Sequence, residues 1–120
     1  MSAHKIVHVD FSSNDRVVSG NFYQELFDWK VKQIPEMDYA TFESGDGSVG
    51  GGFNPINDDN PAGTVMVYIE TDDINASLKQ AETLGGTILS QPRHIPDVGL
   101  FAYIKDLSGN TLALLQPEMP

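Results

Sequence analysis

The spacing of apolar residues changes period several times along the chain, and each change predicts an element. Residues 6–11 (Ile-Val-His-Val-Asp-Phe) alternate and are rich in β-branched side chains, which predicts a strand. Ser12-Ser13-Asn14-Asp15 then offers several side-chain oxygens to cap a helix. From Asp15 to Asp28 the period lengthens: Val18, Phe22 and Leu26 recur every fourth residue with Tyr23 and Phe27 beside them, so this stripe is expected to pack on a sheet. Residues 29–34 alternate again and stop at Pro35, and further strands are expected at 39–44 and 48–53 around the turn Gly45-Asp46-Gly47. The first half therefore reads βαβββ.

Residues 54–63 hold Pro55, Asn57, Asp58, Asp59, Asn60 and Pro61, which is too polar and broken for regular structure and is read as a linker. The order then repeats. Residues 64–71 form a strand, Asp72-Asp73 caps a helix carrying Ile74, Leu78 and Ala81 on one face, and Gly85-Gly86 ends it. Strands follow at 87–90, 100–105 and 111–116, the last two joined by the turn Asp106-Leu-Ser-Gly-Asn110. Laying the halves over each other at the spacing of the two caps (73 − 15 = 58) superposes Asp15 on Asp73, Val18 on Ala76, Phe22 on Gln80 and Leu26 on Leu84. The expectation is an α+β fold of two tandem βαβββ modules with curled mixed sheets. It fills one domain over residues 1–120: module 1 at about 4–53, the linker at 54–63, module 2 at about 64–117.

Charge and composition narrow the function. Seventeen acidic against seven basic residues give a formal net charge of −10, which repels phosphate backbones and argues against nucleic acid as a partner. No apolar run approaches the roughly 20 residues that span a bilayer, so no membrane association is expected. The absence of cysteine removes thiolate ligands and nucleophiles and fits a reducing compartment, so a cytoplasmic location is expected. The chain has no nucleophile elbow, zincin helix or Walker loop. Gly50-Gly51-Gly52 precedes Phe53-Asn54-Pro55 rather than a helix, so it is not a phosphate loop.

Four features in order carry a family resemblance: Ile6-Val-His-Val-Asp-Phe11 followed by Phe22-Tyr23; Tyr68-Ile-Glu-Thr-Asp-Asp-Ile74 opening the second helix; Gly85-Gly86; and Asp106-Leu-Ser-Gly-Asn110 before the last strand. In these the chain resembles the vicinal oxygen chelate superfamily of type I glyoxalases, bleomycin-resistance proteins and extradiol dioxygenases, over essentially its whole length. The resemblance implies sheets that form a half-open cup and a divalent metal held by one residue from each of four strands. Carried over by motif, the positions fall on His8, Gly51, Met66 and Ala113; His8 and Met66 each lie seven residues before a capping aspartate. Glycine and alanine have no donor and a thioether is a poor ligand for hard cations, so only His8 is retained and no metal site is expected. A divalent metal is the alternative to the expectation of no cofactor.

For chemistry, His8 is the candidate base or residual ligand, Asp10 shares its face, and Glu70 follows on a later strand. His8, Gly51, Phe53, Met66, Tyr68 and Ala113 are the expected lining of a cup with an apolar floor. His94, in the proline-framed stretch 91–96, is read as part of a loop able to cover the cup mouth. The leading expectation is a metal-free binding module for an apolar or aromatic small molecule, assembled as a homodimer. The alternatives are a metal-dependent lyase or isomerase of the lactoylglutathione lyase type, or a dioxygenase, with a rearranged site, and an association domain with no ligand.

Overall fold

The computed structural model describes residues 4–118. Its elements run β1 (Ile6–Ser13), α1 (Arg16–Phe27), β2 (Lys30–Ile34), β3 (Tyr39–Glu43), β4 (Gly50–Pro55), β5 (Val65–Glu70), α2 (Ile74–Thr83), β6 (Thr87–Ile88), β7 (Arg93–Ile95), β8 (Gly99–Lys105) and β9 (Thr111–Pro117). A 3-10 turn over Pro35–Met37 links β2 to β3. The architecture is α+β, with two strand-helix-strand modules in sequence. They form two units, one spanning His8–Met66, the other combining the described residues after Met66 with those before His8. Among the described residues no helix is long and apolar enough to cross a membrane.

In the His8–Met66 unit the strand order is β2-β3-β4-β1, antiparallel except for the parallel pair β4–β1, in which His8 faces Gly50, Asp10 faces Gly52 and Ser12 faces Asn54. Asp15 caps α1 as predicted, accepting the Val17 and Val18 amides. The predicted packing stripe is wrong. Val18, Phe22 and Leu26 are 64%, 59% and 58% exposed, and the helix meets the sheet through Gly20 and Tyr23. A Cβ on Gly20 would lie 2.9 Å from Val31 Cγ1, so the glycine lets the helix approach closely. Tyr23 then stacks on Phe11 and Trp29 at 5.2 and 5.3 Å between centroids. Two stripes of this helix hold rings, and the one beside a glycine fits nearer the sheet.

The second unit orders its strands β5-β9-β8-β6, with β7 hydrogen-bonded to β8. Here the sequence pattern and the packing agree. Ile74 and Leu78 of α2 are buried on Ala102, Ile104 and Leu114, with Ala81 against them. The stretch read as a covering loop is instead the short strand β7, in which His94 pairs with Leu100. Pro92 and Pro96 bracket it, and a strand confined between prolines stays short and at an edge.

The two strand-to-helix joints repeat one detail. Ser13 Oγ lies 2.6 Å from Ser19 Oγ and accepts from the Asp15 amide; Thr71 Oγ1 lies 2.6 Å from Ser77 Oγ and accepts from the Asp73 amide. Thr71 and Ser77 follow Ser13 and Ser19 by the same 58 positions as the caps (71 − 13 and 77 − 19).

The segment read as a linker is ordered. Asn57 Oδ1 accepts the amides of Asp59 and Asn60, and the buried Asn60 offers its carbonyl to Ser12 Oγ at 3.0 Å.

Candidate functional site

Strand alternation sorts the sequence candidates by face. In the His8–Met66 unit the face toward α1 is aromatic: Phe42 and Phe53 are buried there with Phe11, Tyr23 and Trp29 packed on them. The opposite face carries His8, Asp10, Tyr39 and Asn54. His8 pairs with Gly50, so Gly51, which pairs with Val9, lies on the helix side with Phe53. A Cβ on Gly51 would fall 1.7 Å from the Val9 carbonyl oxygen and 2.9 Å from the Phe42 ring. Gly51 and Phe53 thus belong to the core, and the one-residue offset arises because strand β4 was aligned to β9 through an approximate repeat.

On the His8 face the centre is Asp10, only 4% exposed. One of its carboxylate oxygens accepts from Tyr39 Oη at 2.6 Å and from His8 Nε2 at 2.6 Å; the other accepts from Asn54 Nδ2 at 2.7 Å. His8 Nε2 is also 2.9 Å from Tyr39 Oη. A buried carboxylate with three donors is a satisfied one, and the donors are fixed by it in turn. Sequence reading found His8 and Asp10 but missed Tyr39 and Asn54. Tyr39 opens β3 right after Asp38, whose backbone is left-handed (φ 49°), and Asn54 belongs to β4 although the polar stretch 54–63 reads as a linker.

Met66 is fully buried within the same unit. In the other unit Tyr68 pairs with Ala113, and Ala113 with Tyr103, so these three share the face turned from α2. Leu115, Phe101 and Glu70 extend that face by alternation, and Phe101 meets Tyr103 edge-on at 5.6 Å. Arg93 places its guanidinium 5.9 Å from the Phe101 ring centre. Tyr68 and Ala113 are therefore brought together on an aromatic and aliphatic face, on which Tyr68, Tyr103 and Ala113 are buried.

The residues at the four positions implied for a metal do not fit one. His8 is the one nitrogen donor among His8, Gly51, Met66 and Ala113, and its Nε2 is engaged by Asp10 and Tyr39. Among the described residues no group of three or more histidines, cysteines or acids is placed to hold a metal ion. Two surface depressions in the His8–Met66 unit are lined mostly by polar groups: one of about 240 Å³ beside Arg16 and Asp38, and one of about 580 Å³ beside Lys30, Glu43 and Gly50.

Comparison with known proteins agrees with the fold. CFP32 of Mycobacterium bovis, named as a glyoxylase, is 34% identical over 68% of this chain and 31% of its own length. The anthracycline biosynthesis protein DnrV of Streptomyces peucetius is 29% identical over 88% of this chain and 44% of its own. The chain thus spans less than half the length of these relatives. Among solved structures, BH1468 of Bacillus halodurans superposes with a TM-score of 0.75 at 12% identity, covering 99% of this chain and 98% of that one. Methylmalonyl-CoA epimerase of Mycobacterium tuberculosis superposes with a TM-score of 0.71 at 12% identity, covering 95% and 88%. The model of the glyoxalase/bleomycin resistance protein/dioxygenase superfamily matches residues 5–114, and the chain belongs to that superfamily.

Proposed function

We propose that the chain is a small-molecule binding module that works without a metal ion and takes an apolar or aromatic ligand. The observation that carries this reading is the engagement of His8 Nε2 by Asp10 and Tyr39, at positions where the remaining side chains offer no comparable donor. The partly buried Phe101 and Leu115, beside the buried Tyr68, Tyr103 and Ala113, support an aromatic ligand, since rings stack on rings and on aliphatic neighbours. The name of the DnrV relative, which places it in anthracycline biosynthesis, points the same way.

The second reading is an enzyme of the lyase or isomerase type, or an oxygenase, built on the 2.6 Å contact of His8 with a buried carboxylate. A carboxylate-oriented histidine is a common proton-transfer pair. Two measurements on the full chain separate the readings. Fluorescence titration with 2-naphthol tests binding, and the hemithioacetal of methylglyoxal and glutathione, with and without added Zn²⁺ or Ni²⁺, tests turnover. Saturable naphthol binding that weakens at least tenfold in Phe101→Ala, with no turnover, supports the module. Metal-dependent turnover overturns it.

We also propose a cytoplasmic homodimer in which α1 meets a second copy of the chain. The exposed stripe of Val18, Phe22 and Leu26, with Phe27 alongside, is a contiguous apolar surface on a helix whose other side is already packed, and closed twofold pairing is the commonest way to cover such a surface. Salt screens the repulsion of two acidic chains beyond about 8 Å.

A further inference from the structure

Tyr39 lies outside the positions that the family resemblance singles out, yet its hydroxyl is bonded to both His8 and Asp10. The fold makes a place for it. A Cβ built on Gly52 would fall 1.9 Å from Tyr39 Oη, 2.1 Å from Cζ and 2.6 Å from Cε1, so the phenol edge occupies the volume that any other residue at 52 would fill. Gly52 sits inside strand β4 and is absent from the glycines with positive φ. Its lack of a side chain is therefore accounted for by close approach rather than by backbone conformation.

The hydrogen-bond geometry also favours one place for a proton. Ionised Asp10 only accepts, and the hydroxyl hydrogen of Tyr39 is committed to it. Asp10 and Tyr39 then each present an oxygen lone pair to His8 Nε2, an arrangement that matches a ring hydrogen on Nε2. A ring nitrogen that carries hydrogen must lose it before it can ligate a metal, so the bonds of Nε2 to Asp10 and Tyr39 oppose ligation through that atom.

We propose that Tyr39, seated on Gly52, is a positioning residue of the His8 site that does by hydrogen bonding what a cation does in a metal-bearing site. Together with Asp10 it sets the orientation and tautomer of His8 and withdraws Nε2 from metal ligation. The inference deepens the metal-free reading above and rests on it.

The test is long-range proton–nitrogen NMR of the His8 ring in the ¹⁵N-labelled full chain, without a histidine tag. The wild type is expected to carry hydrogen on Nε2 and to keep its ring signals unchanged on adding equimolar Zn²⁺. In Tyr39→Phe the Nε2 hydrogen should exchange with water at least tenfold faster, and Zn²⁺ should then perturb the ring. Gly52→Ala, which evicts the phenol without deleting its hydroxyl, should give the same two changes. A wild-type ring protonated on Nδ1, a wild-type ring perturbed by Zn²⁺, or a Tyr39→Phe spectrum identical to wild type overturns the proposal. The wild-type tautomer stands as a test even where a variant does not fold. Failure of the aromatic-ligand reading is separate, since it is read as an absence of naphthol binding with the tautomer signature intact.

Discussion

His94 Nε2 lies 2.6 Å from one carboxylate oxygen of Glu118, whose other oxygen accepts the Asp97 amide at 2.8 Å, so one side chain just past β9 ties strand β7 to the turn that follows it. The His94 hydrogen bond, followed by that of Asp97, holds the Glu118 carboxyl below its ordinary value of 4.5. A depressed carboxylate stabilises the folded state above its unfolded value, and the contribution is lost as pH falls through the lowered folded value. As pH drops below 4.5, the Asp97 amide resonance should move toward that of Glu118→Gln, in which no such transition remains. An Asp97 shift that is flat through the acid range would refute this.

Asp10 is the least replaceable polar group of the site. Asp10→Ala leaves the donors of His8, Tyr39 and Asn54 without their shared acceptor. Each unsatisfied buried group costs about 1–3 kcal/mol, and part of that is recovered by water on the exposed side of His8. Urea unfolding should register a loss of roughly 2–4 kcal/mol. A change below 1 kcal/mol would mean that the cluster is solvated in solution.

The glycines of β4 and of the turn before it should respond differently to alanine. At Gly51 the added carbon meets the Val9 carbonyl oxygen, backbone that cannot step aside without parting β1 from β4. Overpacking of this kind costs about 1–3 kcal/mol, and the upper end is expected. At Gly47 nothing lies within 4 Å, but φ is +74°, so only the backbone penalty of about 1 kcal/mol is expected. Thermal unfolding of the two variants should rank them in that order.

Helix α1 separates packing from association. Tyr23→Ala should cost about 3–5 kcal/mol of fold stability, because its ring touches those of Phe11, Trp29 and Phe53. A Phe22→Glu/Leu26→Glu variant should change monomer stability by less than about 1 kcal/mol, both sites being exposed. Light scattering should find about 26 kDa, twice the 13.1 kDa chain, for wild type and a single-chain mass for that variant. A wild type of single-chain mass at micromolar concentration would overturn the homodimer.

Apart from β7, element order was legible in the sequence, as were both helix caps, because they depend on local chemistry: Asp15 and Asp73 cap their helices, and Gly85, at φ +99°, follows α2. What required coordinates was which side of an element faces inward. The Val18–Phe22–Leu26 periodicity is real, yet it points outward because Gly20 and Tyr23 make the closer fit, and no periodicity count weighs a glycine as a contact residue. The site was half legible for the same reason. His8 and Asp10 are two apart on one strand, so alternation pairs them, whereas Tyr39 and Asn54 reach Asp10 from 29 and 44 residues away. Such pairs depend on register, and a shift of one residue had sent Gly51 to the wrong face.

The hydroxyl clasps Ser13–Ser19 and Thr71–Ser77 make the two strand-to-helix elbows equivalent as parts, although the strands they terminate carry different side chains on their open faces. At the second elbow the Ile74 amide also donates to Gln116 Oε1 of β9, so the shared part is the hydroxyl clasp rather than the whole elbow. The clasp pairs 13/19 and 71/77 should therefore be interchangeable, with both helices still starting at their aspartates and the strand faces left to vary independently of the hydroxyls that close each joint.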